Sequence, residues 1–148
     1  MAIQSNEELV IIESQQYGRM EVPKQQIYHF AHGVVGISEH EQYAIVGVED
    51  SAFYTMHSID GRVCFHLIPA SAVVQDYQFA IDGETVKLLN TESAEEIAVF
   101  LIVNATDEQL CVNLKAPILL APDQLTGCQY IISDQDYPIR FPLESEGD

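Results

Sequence analysis

Histidine and cysteine are the residue types in this 148-residue chain that could bind a metal or act as nucleophiles. Metal-binding pairs commonly follow short spacings such as Cys-x-x-Cys or His-Glu-x-x-His. Neither spacing occurs here, because the candidates are scattered over His29, His32, His40, His57, His66, Cys64, Cys111 and Cys128. His32 or His57 could still approach Cys64 in space, so a small His/Cys enzyme stays open as one hypothesis. We expect each cysteine to be a small buried hydrophobic residue among apolar neighbours.

Motifs for other kinds of catalysis are missing from the sequence. It contains no Gly-x-Ser-x-Gly, no phosphate-binding glycine loop and no dinucleotide fingerprint. Ser38, Ser58 and Ser71 have no obvious base beside them, and the carboxylates of Glu95 and Glu96 are typical of a solvated face. The sequence therefore favours a protein that is not an enzyme and has no cofactor or metal.

The balance of charge is strongly acidic. Six basic residues oppose 23 acidic ones, which gives a formal net charge of −17. Such a field repels nucleic acid and anionic membranes and attracts basic proteins. The alternative is that acidity only keeps the protein soluble. The basic residues form no cluster that would bind nucleic acid: Arg19, Lys24, Arg62, Lys87, Lys115 and Arg140.

Segments for targeting or membrane insertion are also missing. The longest apolar run, residues 97–103, is far shorter than the roughly 20 residues that a spanning helix needs. Residues 1–8 have no basic region followed by an apolar core, so we expect a cytoplasmic protein. We expect residues 1–8 and the acidic tail 144–148 to be flexible, with residues 9–143 forming a single domain.

Most of the chain reads as short strands. In residues 17–22, for example, Met20 and Val22 fall on one face and Arg19 and Glu21 on the other. Similar patterns predict strands at 9–13, 17–22, 27–30, 43–48, 53–57, 63–68, 77–81, 96–104, 109–115, 118–121 and 128–133. About ten short strands at this spacing predict an all-β fold, either a closed barrel or a sandwich. Closure would also hide the strand edges, so we expect a closed or nearly closed small barrel.

One short helix is expected near residues 82–90. Asp82 suits the N-cap, and Glu84 lies in the first turn, where the helix dipole favours negative charge. Asn90 can end the helix in the left-handed conformation.

The segment Cys111-Val-Asn-Leu-Lys-Ala-Pro-Ile118 closely resembles the V-N-L-x-A-P-I segment of the flagellar assembly factor FliW family. Other matches to that family follow in the same order, from residue 17 to residue 143. The residues that carry the resemblance are Tyr17, Gly18, Gly33, Gly36, Tyr77, Phe79, Val112, Asn113, Leu114, Ala116, Pro117, Arg140 and Pro142. The chain departs from the family pattern at Val34, Val35, Ile37 and Phe141, which marks it as a divergent member.

The resemblance implies a function in binding. FliW proteins bind CsrA, a basic RNA-binding dimer that represses translation of flagellin mRNA, and they also bind flagellin. By antagonising CsrA they couple flagellin synthesis to filament assembly, so CsrA and flagellin are the implied partners. The alternative is an acidic β-barrel adaptor or scaffold with unrelated partners.

Most of the motif residues have a structural reason to be there. Asn113 in an apolar strand must face outward or be hydrogen-bonded, and Pro117 suits a strand end. Gly33 and Gly36 suit positive φ. Acidic residues in turns are candidates for contacting a partner, because surface turns carry binding residues disproportionately. These candidates are Glu39, Glu41, Glu49, Asp50, Asp134 and Asp136.

Overall fold

A computed structural model describes residues 9–31, 33–34, 40–105 and 109–143. Expectations for residues 1–8, for the tail 144–148, and for His32, Gly36 and Glu39 lie outside these ranges. The described chain forms eleven strands: β1 Leu9–Ser14, β2 Gly18–Pro23, β3 Ile27–His29, β4 Gln42–Gly47, β5 Tyr54–Ser58, β6 Cys64–Pro69, β7 Ala98–Ala105, β8 Leu110–Val112, β9 Ile118–Ala121, β10 Thr126–Gln129 and β11 Phe141–Pro142. Helix α1 is Gly83–Leu88, and short 3₁₀ turns occupy Lys24–Gln26, Ala70–Ala72 and Ala94–Glu96.

Seven of these strands close into a barrel in the order β7-β6-β5-β4-β3-β10-β9, with β9 pairing back onto β7. The long strand β7 makes this closure possible. Its first half pairs with β9, so that Phe100 lies opposite Ile118, and its second half pairs with β8, so that Val103 lies opposite Val112. Strand β11 extends the sheet beyond β8. The prediction of a closed all-β barrel is confirmed.

The barrel interior is filled by alternate residues of these strands. Phe30, Tyr43, Met56, Leu67 and Ile118 have no exposed surface and pack in one cluster. Burying large apolar side chains contributes about 1.5–3 kcal/mol each, so this cluster is the main stabilising feature of the domain.

Strands β1 and β2 form a separate hairpin that packs on the outside of the barrel. Ile12 and Val22 are buried against Ala44 of β4, and Met20 packs beside them. Arg19 and Glu21 are exposed on the opposite face, as the alternation predicts. Apolar contact holds this hairpin on the barrel without strand pairing, and the N–H of Gln15 adds a hydrogen bond to the carbonyl of Gly61 at 3.0 Å.

Helix α1 is built as the sequence predicts. The carboxylate of Asp82 accepts a hydrogen bond from the backbone N–H of Thr85 at 2.8 Å. Asn90 follows the helix with φ +61°, in the left-handed region. Leu89 is fully buried and packs against Leu119 and Ala121 of β9, which fixes the helix on the barrel.

The prediction of a strand at 77–81 is wrong, although the inward and outward alternation of its side chains is real. Its backbone groups bond to side chains and not to a neighbouring strand. The predicted strands at 109–115 and 128–133 are shorter than expected, ending at Val112 and Gln129. The backbone N–H groups of Tyr130 and Ile132 donate to the loop carbonyls of Pro117 and Lys115, so the chain leaves the sheet there.

Candidate partner-binding surface

Residues 77–82 run extended across the barrel and are held by side chains of residues 130–137. The Tyr137 hydroxyl accepts from the N–H of Gln78 at 3.0 Å and donates to its carbonyl at 2.9 Å. The Tyr130 hydroxyl accepts from the N–H of Asp82 at 3.3 Å and donates to the carbonyl of Ala80 at 2.9 Å. These bonds replace the strand ladder that the alternating pattern predicts.

An aromatic cluster anchors the same segment. The ring centroids of Tyr77 and Tyr137 are 4.9 Å apart, and those of Tyr77 and Phe79 are 5.2 Å apart. The Tyr77 hydroxyl donates to the carbonyl of Leu114. Burial, with a smaller contribution from Tyr137, raises the pKa of Tyr77, so its hydroxyl stays protonated and remains a donor. The segment is thus tied to the barrel at several points.

Between this segment and β7 lies a groove of about 430 Å³, here named the β7 groove. Its walls are formed by the residues that connect β6 to α1 and by the first half of β7: Pro69, Ala70, Ser71, Val74, Gln75, Tyr77, Phe79, Ala98, Val99 and Phe100. Val74, Tyr77, Phe79 and Val99 are large, apolar or aromatic, and each is only half-buried, whereas the Phe100 side chain packs toward the barrel interior. A concave apolar surface of this kind suits the apolar side chains of a partner.

The predicted acidic contacts do not form one site. Glu41 and the pair Glu49 and Asp50 are all exposed, but they lie beyond opposite ends of β4, Gln42–Gly47. Strands rise about 3.3 Å per residue, which puts the two positions more than about 20 Å apart. A small basic partner could contact one of them closely, and the other only across a broad interface.

Glu41 lines a second groove, of about 400 Å³, together with His29, His40, Gln42, Ile59 and Asp60. His40 Nδ1 lies 3.5 Å from Asp60 Oδ2. Hydrogen bonds from the Ser58 hydroxyl and then from the backbone of Arg62 lower the pKa of Asp60, so its carboxylate is charged at neutral pH. Glu41 therefore has an acidic neighbour in Asp60 that the sequence pattern did not single out.

Asp134 and Asp136 form a third acidic position, and both are exposed. Asp134 accepts a hydrogen bond from the backbone N–H of Ala80 at 3.2 Å, so it also helps to hold the 77–82 segment. Asp136 has no hydrogen bond within the described ranges. Of the two, Asp136 is the better probe of partner binding, because changing it leaves the Ala80 contact intact.

Asn113 organises the loop that carries the strongest family motif. Its Oδ1 accepts from the backbone N–H groups of Lys115 and Ala116, each at 3.0 Å. The Lys115 ammonium donates to the carbonyl of Ile132 at 2.9 Å, and the Gln129 amide donates to the carbonyl of Ala116 at 3.2 Å. This loop therefore joins β8 and β9 to β10 and the segment that follows it.

The other motif residues lie at packing and turn positions. Val112, Leu114, Ala116 and Pro117 are buried, and Pro142 of β11 pairs with Cys111 of β8. Gly18 and Gly33 have φ of +76° and +65°. Tyr77 and Phe79 line the β7 groove, whereas Tyr17 and Arg140 are exposed on other parts of the surface.

Within the described part of the chain, His57 and Cys64 lie opposite each other as cross-strand neighbours on β5 and β6. His57 Nε2 lies 2.9 Å from the Thr55 hydroxyl, and burial followed by the charge of His66 lowers the pKa of His57. Burial raises the pKa of the Cys64 thiol, which is the opposite of what a nucleophile needs. Within the described ranges no three His, Cys, Asp or Glu side chains converge to hold a metal ion.

A family model described as "FliW protein" matches residues 11–143. The chain belongs to the FliW family. It is 32% identical over 136 residues to the flagellar assembly factor FliW of Caldicellulosiruptor saccharolyticus, covering 90% of each chain. It is 26% identical over 141 residues to the flagellar assembly factor FliW of Bacillus subtilis, covering 93% of this chain and 99% of the relative.

The fold agrees with the FliW architecture as well. A crystal structure of the flagellar assembly factor FliW matches with a TM-score of 0.84 at 24% identity, over 92% of this chain and 98% of the other. Among the described residues, none lies in a helix long and apolar enough to cross a membrane.

The sequence does not predict the β7 groove, although one signal points to it. Residues 69–76 fall in no predicted strand or helix, yet they contain the apolar pair Val73 and Val74. An apolar pair in a connection between elements indicates a segment that packs on the domain and helps to form its surface. What it packs against was not visible in the sequence.

Proposed function

We propose that this FliW family member is a cytoplasmic, non-catalytic regulator that binds CsrA and flagellin. Free protein would sequester CsrA and relieve its repression of flagellin mRNA. Accumulated flagellin would occupy the protein and release CsrA. The observation that carries the proposal is the FliW family match over residues 11–143, together with a net charge of −17.

The acidity supports the CsrA contact. A field of this sign speeds encounter with a basic dimer and disfavours a shared complex with RNA. At physiological salt it decays over about 8 Å, so the effective carboxylates must lie near the interface. Glu41, Glu49 and Asp136 mark three separate exposed positions where that interface could lie.

The flagellin contact is expected to differ in kind. It would use an apolar groove or an exposed strand edge that receives an amphipathic helix. Binding through apolar area depends weakly on salt, whereas binding through charge weakens steeply as salt rises. The CsrA contact should therefore be the more sensitive of the two to ionic strength.

The decisive experiment is titration of the purified protein with purified CsrA and with purified flagellin at 50 mM and 500 mM salt. We expect binding to both, with the CsrA affinity falling at least about tenfold across this range and the flagellin affinity changing much less. Binding to neither protein would contradict the proposal. That result would favour the alternative, an acidic adaptor with other partners.

Charge reversal then locates the CsrA face. Glu41→Lys, Glu49→Lys and Asp136→Lys each change one exposed acidic position without removing a described side-chain hydrogen bond. Asp50 is left alone because its φ of +61° would strain a lysine, and Asp134 is left alone because it holds Ala80. The reversal nearest the interface should weaken CsrA binding by about tenfold, and the more distant ones by about twofold or less.

A further inference from the structure

The walls of the β7 groove are held by hydrogen bonds within the chain. On one wall, the N–H groups of Val73 and Val74 both donate to the carbonyl of Ala70 at 3.0 Å. Farther along that wall, Tyr77 is held by its bond to Leu114, and Gln78 by its two bonds to Tyr137. The other wall is β7, which is paired in the sheet. A preformed groove binds more tightly than one that must be ordered during binding.

The surroundings of the groove are acidic. Asp76 lies in the chain between two lining residues, and Glu95 and Glu96 directly precede the β7 wall; all three are exposed. Residues 69–100 contain six carboxylates against one basic residue, namely Asp76, Asp82, Glu84, Glu92, Glu95 and Glu96 against Lys87. An apolar floor with an acidic rim is complementary to an apolar stripe flanked by basic side chains.

We propose that the β7 groove receives the apolar face of an amphipathic helix whose flanking side chains are basic. Its volume of about 430 Å³ suits a few apolar side chains spaced at i, i+3 or i+4, and i+7 along a helix that lies across the groove. The inference deepens the proposed function, on which it rests for the identity of the partner that carries this helix.

A second copy of the chain does not fit the same surface. Two molecules of net charge −17 repel each other, and symmetric contact would bring two acidic rims together. Like charges in contact cost affinity. Charge therefore selects a basic partner over self-association.

The exposed face of the β1–β2 hairpin is a weaker candidate for this helix. It presents two exposed apolar side chains, Leu9 at 51% and Ile11 at 42%. Ile11 lies opposite Glu21, which is in turn 3.4 Å from Arg19. Charged neighbours interrupt this apolar area, whereas the side chains of Val74, Tyr77, Phe79 and Val99 form a larger apolar area in the β7 groove.

The test uses a labelled 18-residue synthetic peptide with a leucine stripe flanked by lysines. Two controls accompany it: a scrambled peptide of the same composition, and one with glutamate in place of each lysine. Fluorescence anisotropy with the whole protein should show binding to the first peptide at least about tenfold tighter than to either control. Equal binding of the first peptide and the scrambled one would overturn the proposal.

Three variants test where on the protein the peptide and flagellin bind. Val74→Asp places a charge in the groove, Asp76→Lys reverses its rim, and Leu9→Asp alters the hairpin face as the matched control. We expect Val74→Asp to lower the affinity for both the peptide and flagellin at least about tenfold. Asp76→Lys should lower the affinity for the lysine peptide severalfold. Leu9→Asp should change neither affinity. If Val74→Asp does not fold, Asp76→Lys, at an exposed position, still decides the result.

The outcomes separate the two proposals. If the wild type binds flagellin and Leu9→Asp alone weakens it, the groove assignment is overturned and the proposed function stands. If the wild type binds the peptide in the groove but binds neither flagellin nor CsrA, the proposed function fails and the groove assignment stands. A dimer in sedimentation that Val74→Asp dissociates would overturn the groove assignment in favour of self-association.

Discussion

The Tyr137 hydroxyl accepts a hydrogen bond from the backbone N–H of Gln78 at 3.0 Å and donates one to the carbonyl of the same residue at 2.9 Å. One side chain thus satisfies both backbone groups of a residue 59 positions earlier in the chain. In a sheet, the backbone of a neighbouring strand would make these two hydrogen bonds. The consequence is a wall for the β7 groove that is extended but belongs to no sheet.

Removing this hydroxyl should loosen that wall. We expect Tyr137→Phe to lower the free energy of unfolding by about 1 kcal/mol, because water can reach the exposed backbone of Gln78 once the two bonds are lost. Urea unfolding measures the loss, and hydrogen exchange should show faster exchange of the Gln78 amide.

Tyr54→Phe is the matched control for this change. Tyr54 is also half-buried, and its hydroxyl makes no hydrogen bond within the described part of the chain. The control should stay within about 0.5 kcal/mol of the wild type. Equal losses in the two variants would show that the Tyr137 bonds do not stabilise the fold.

Gly61 is the most constrained described glycine. It has φ +79°, and a Cβ built on it would lie 1.9 Å from the carbonyl oxygen of Glu13 in the hairpin. We expect Gly61→Ala to cost at least about 2 kcal/mol, because both the backbone angle and the contact must change. Thermal unfolding with calorimetry measures this.

Substitutions at two other glycines distinguish the cost of backbone strain from the cost of steric contact at an added Cβ. Gly18 has φ +76° but open space around its Cα, so Gly18→Ala should cost only about 1 kcal/mol. Gly83 starts α1 with open space and no positive φ, so Gly83→Ala should be neutral or stabilising by up to about 1 kcal/mol. If Gly61→Ala cost no more than Gly18→Ala, the close approach of the hairpin would be refuted.

His57 should make the fold less stable in mild acid. Burial and then the charge of His66 lower its pKa in the folded state below the unfolded value of about 6.5. Between these two values the unfolded chain binds more protons, so stability falls as pH drops below about 6.5 and levels off beneath the folded pKa. NMR titration of the His57 ring gives the pKa directly.

His57→Gln tests the same effect through stability. Glutamine does not titrate and can still bond to Thr55, so the pH dependence between about 5 and 7 should flatten. His29→Gln, which changes an exposed histidine, should leave the profile as it is in the wild type. An unchanged profile in His57→Gln would contradict the assignment.

Asp82 should act as the N-cap of α1 only while it is ionised. Hydrogen bonds from Thr85, first from its side chain and then from its backbone, lower the pKa of Asp82. Its contribution is therefore present above the unfolded pKa of about 3.9 and is lost as pH falls through the lower folded pKa. Asp82→Ala should be less stable than the wild type at pH 7, and the difference should shrink below pH 4.

Glu84→Ala is the control for this prediction, since Glu84 lies in the same turn and makes no described cap bond. It should change stability less than Asp82→Ala at pH 7. A difference between Asp82→Ala and the wild type that is constant from pH 7 to pH 3 would refute an ionised cap. Urea unfolding across the pH series measures both variants.

Local patterns predicted much of this molecule because their causes are local. The N-cap at Asp82 and the left-handed Asn90 depend on residues within one helical turn, and both are confirmed. The alternation of residues in β2 predicts that the face with Met20 and Val22 is buried, and this prediction is also confirmed. The hydrogen bonds that organise the loop at Asn113 are local as well, because its side chain bonds to backbone N–H groups only two and three residues later.

The tertiary structure decided where distant segments meet. The alternation in residues 77–81 indicates that one face is buried, but it does not indicate which groups hydrogen-bond to the backbone. In the folded chain those groups are the side chains of Tyr130, Asp134 and Tyr137. Closure of the barrel depends on β7 pairing with β9, and separation of the acidic candidates depends on the straight run of β4. The sequence by itself determined most of the elements, the family and the charge. Only the folded chain decided which surfaces those elements form, because hydrogen bonds and apolar contacts between residues far apart in sequence have no local signature.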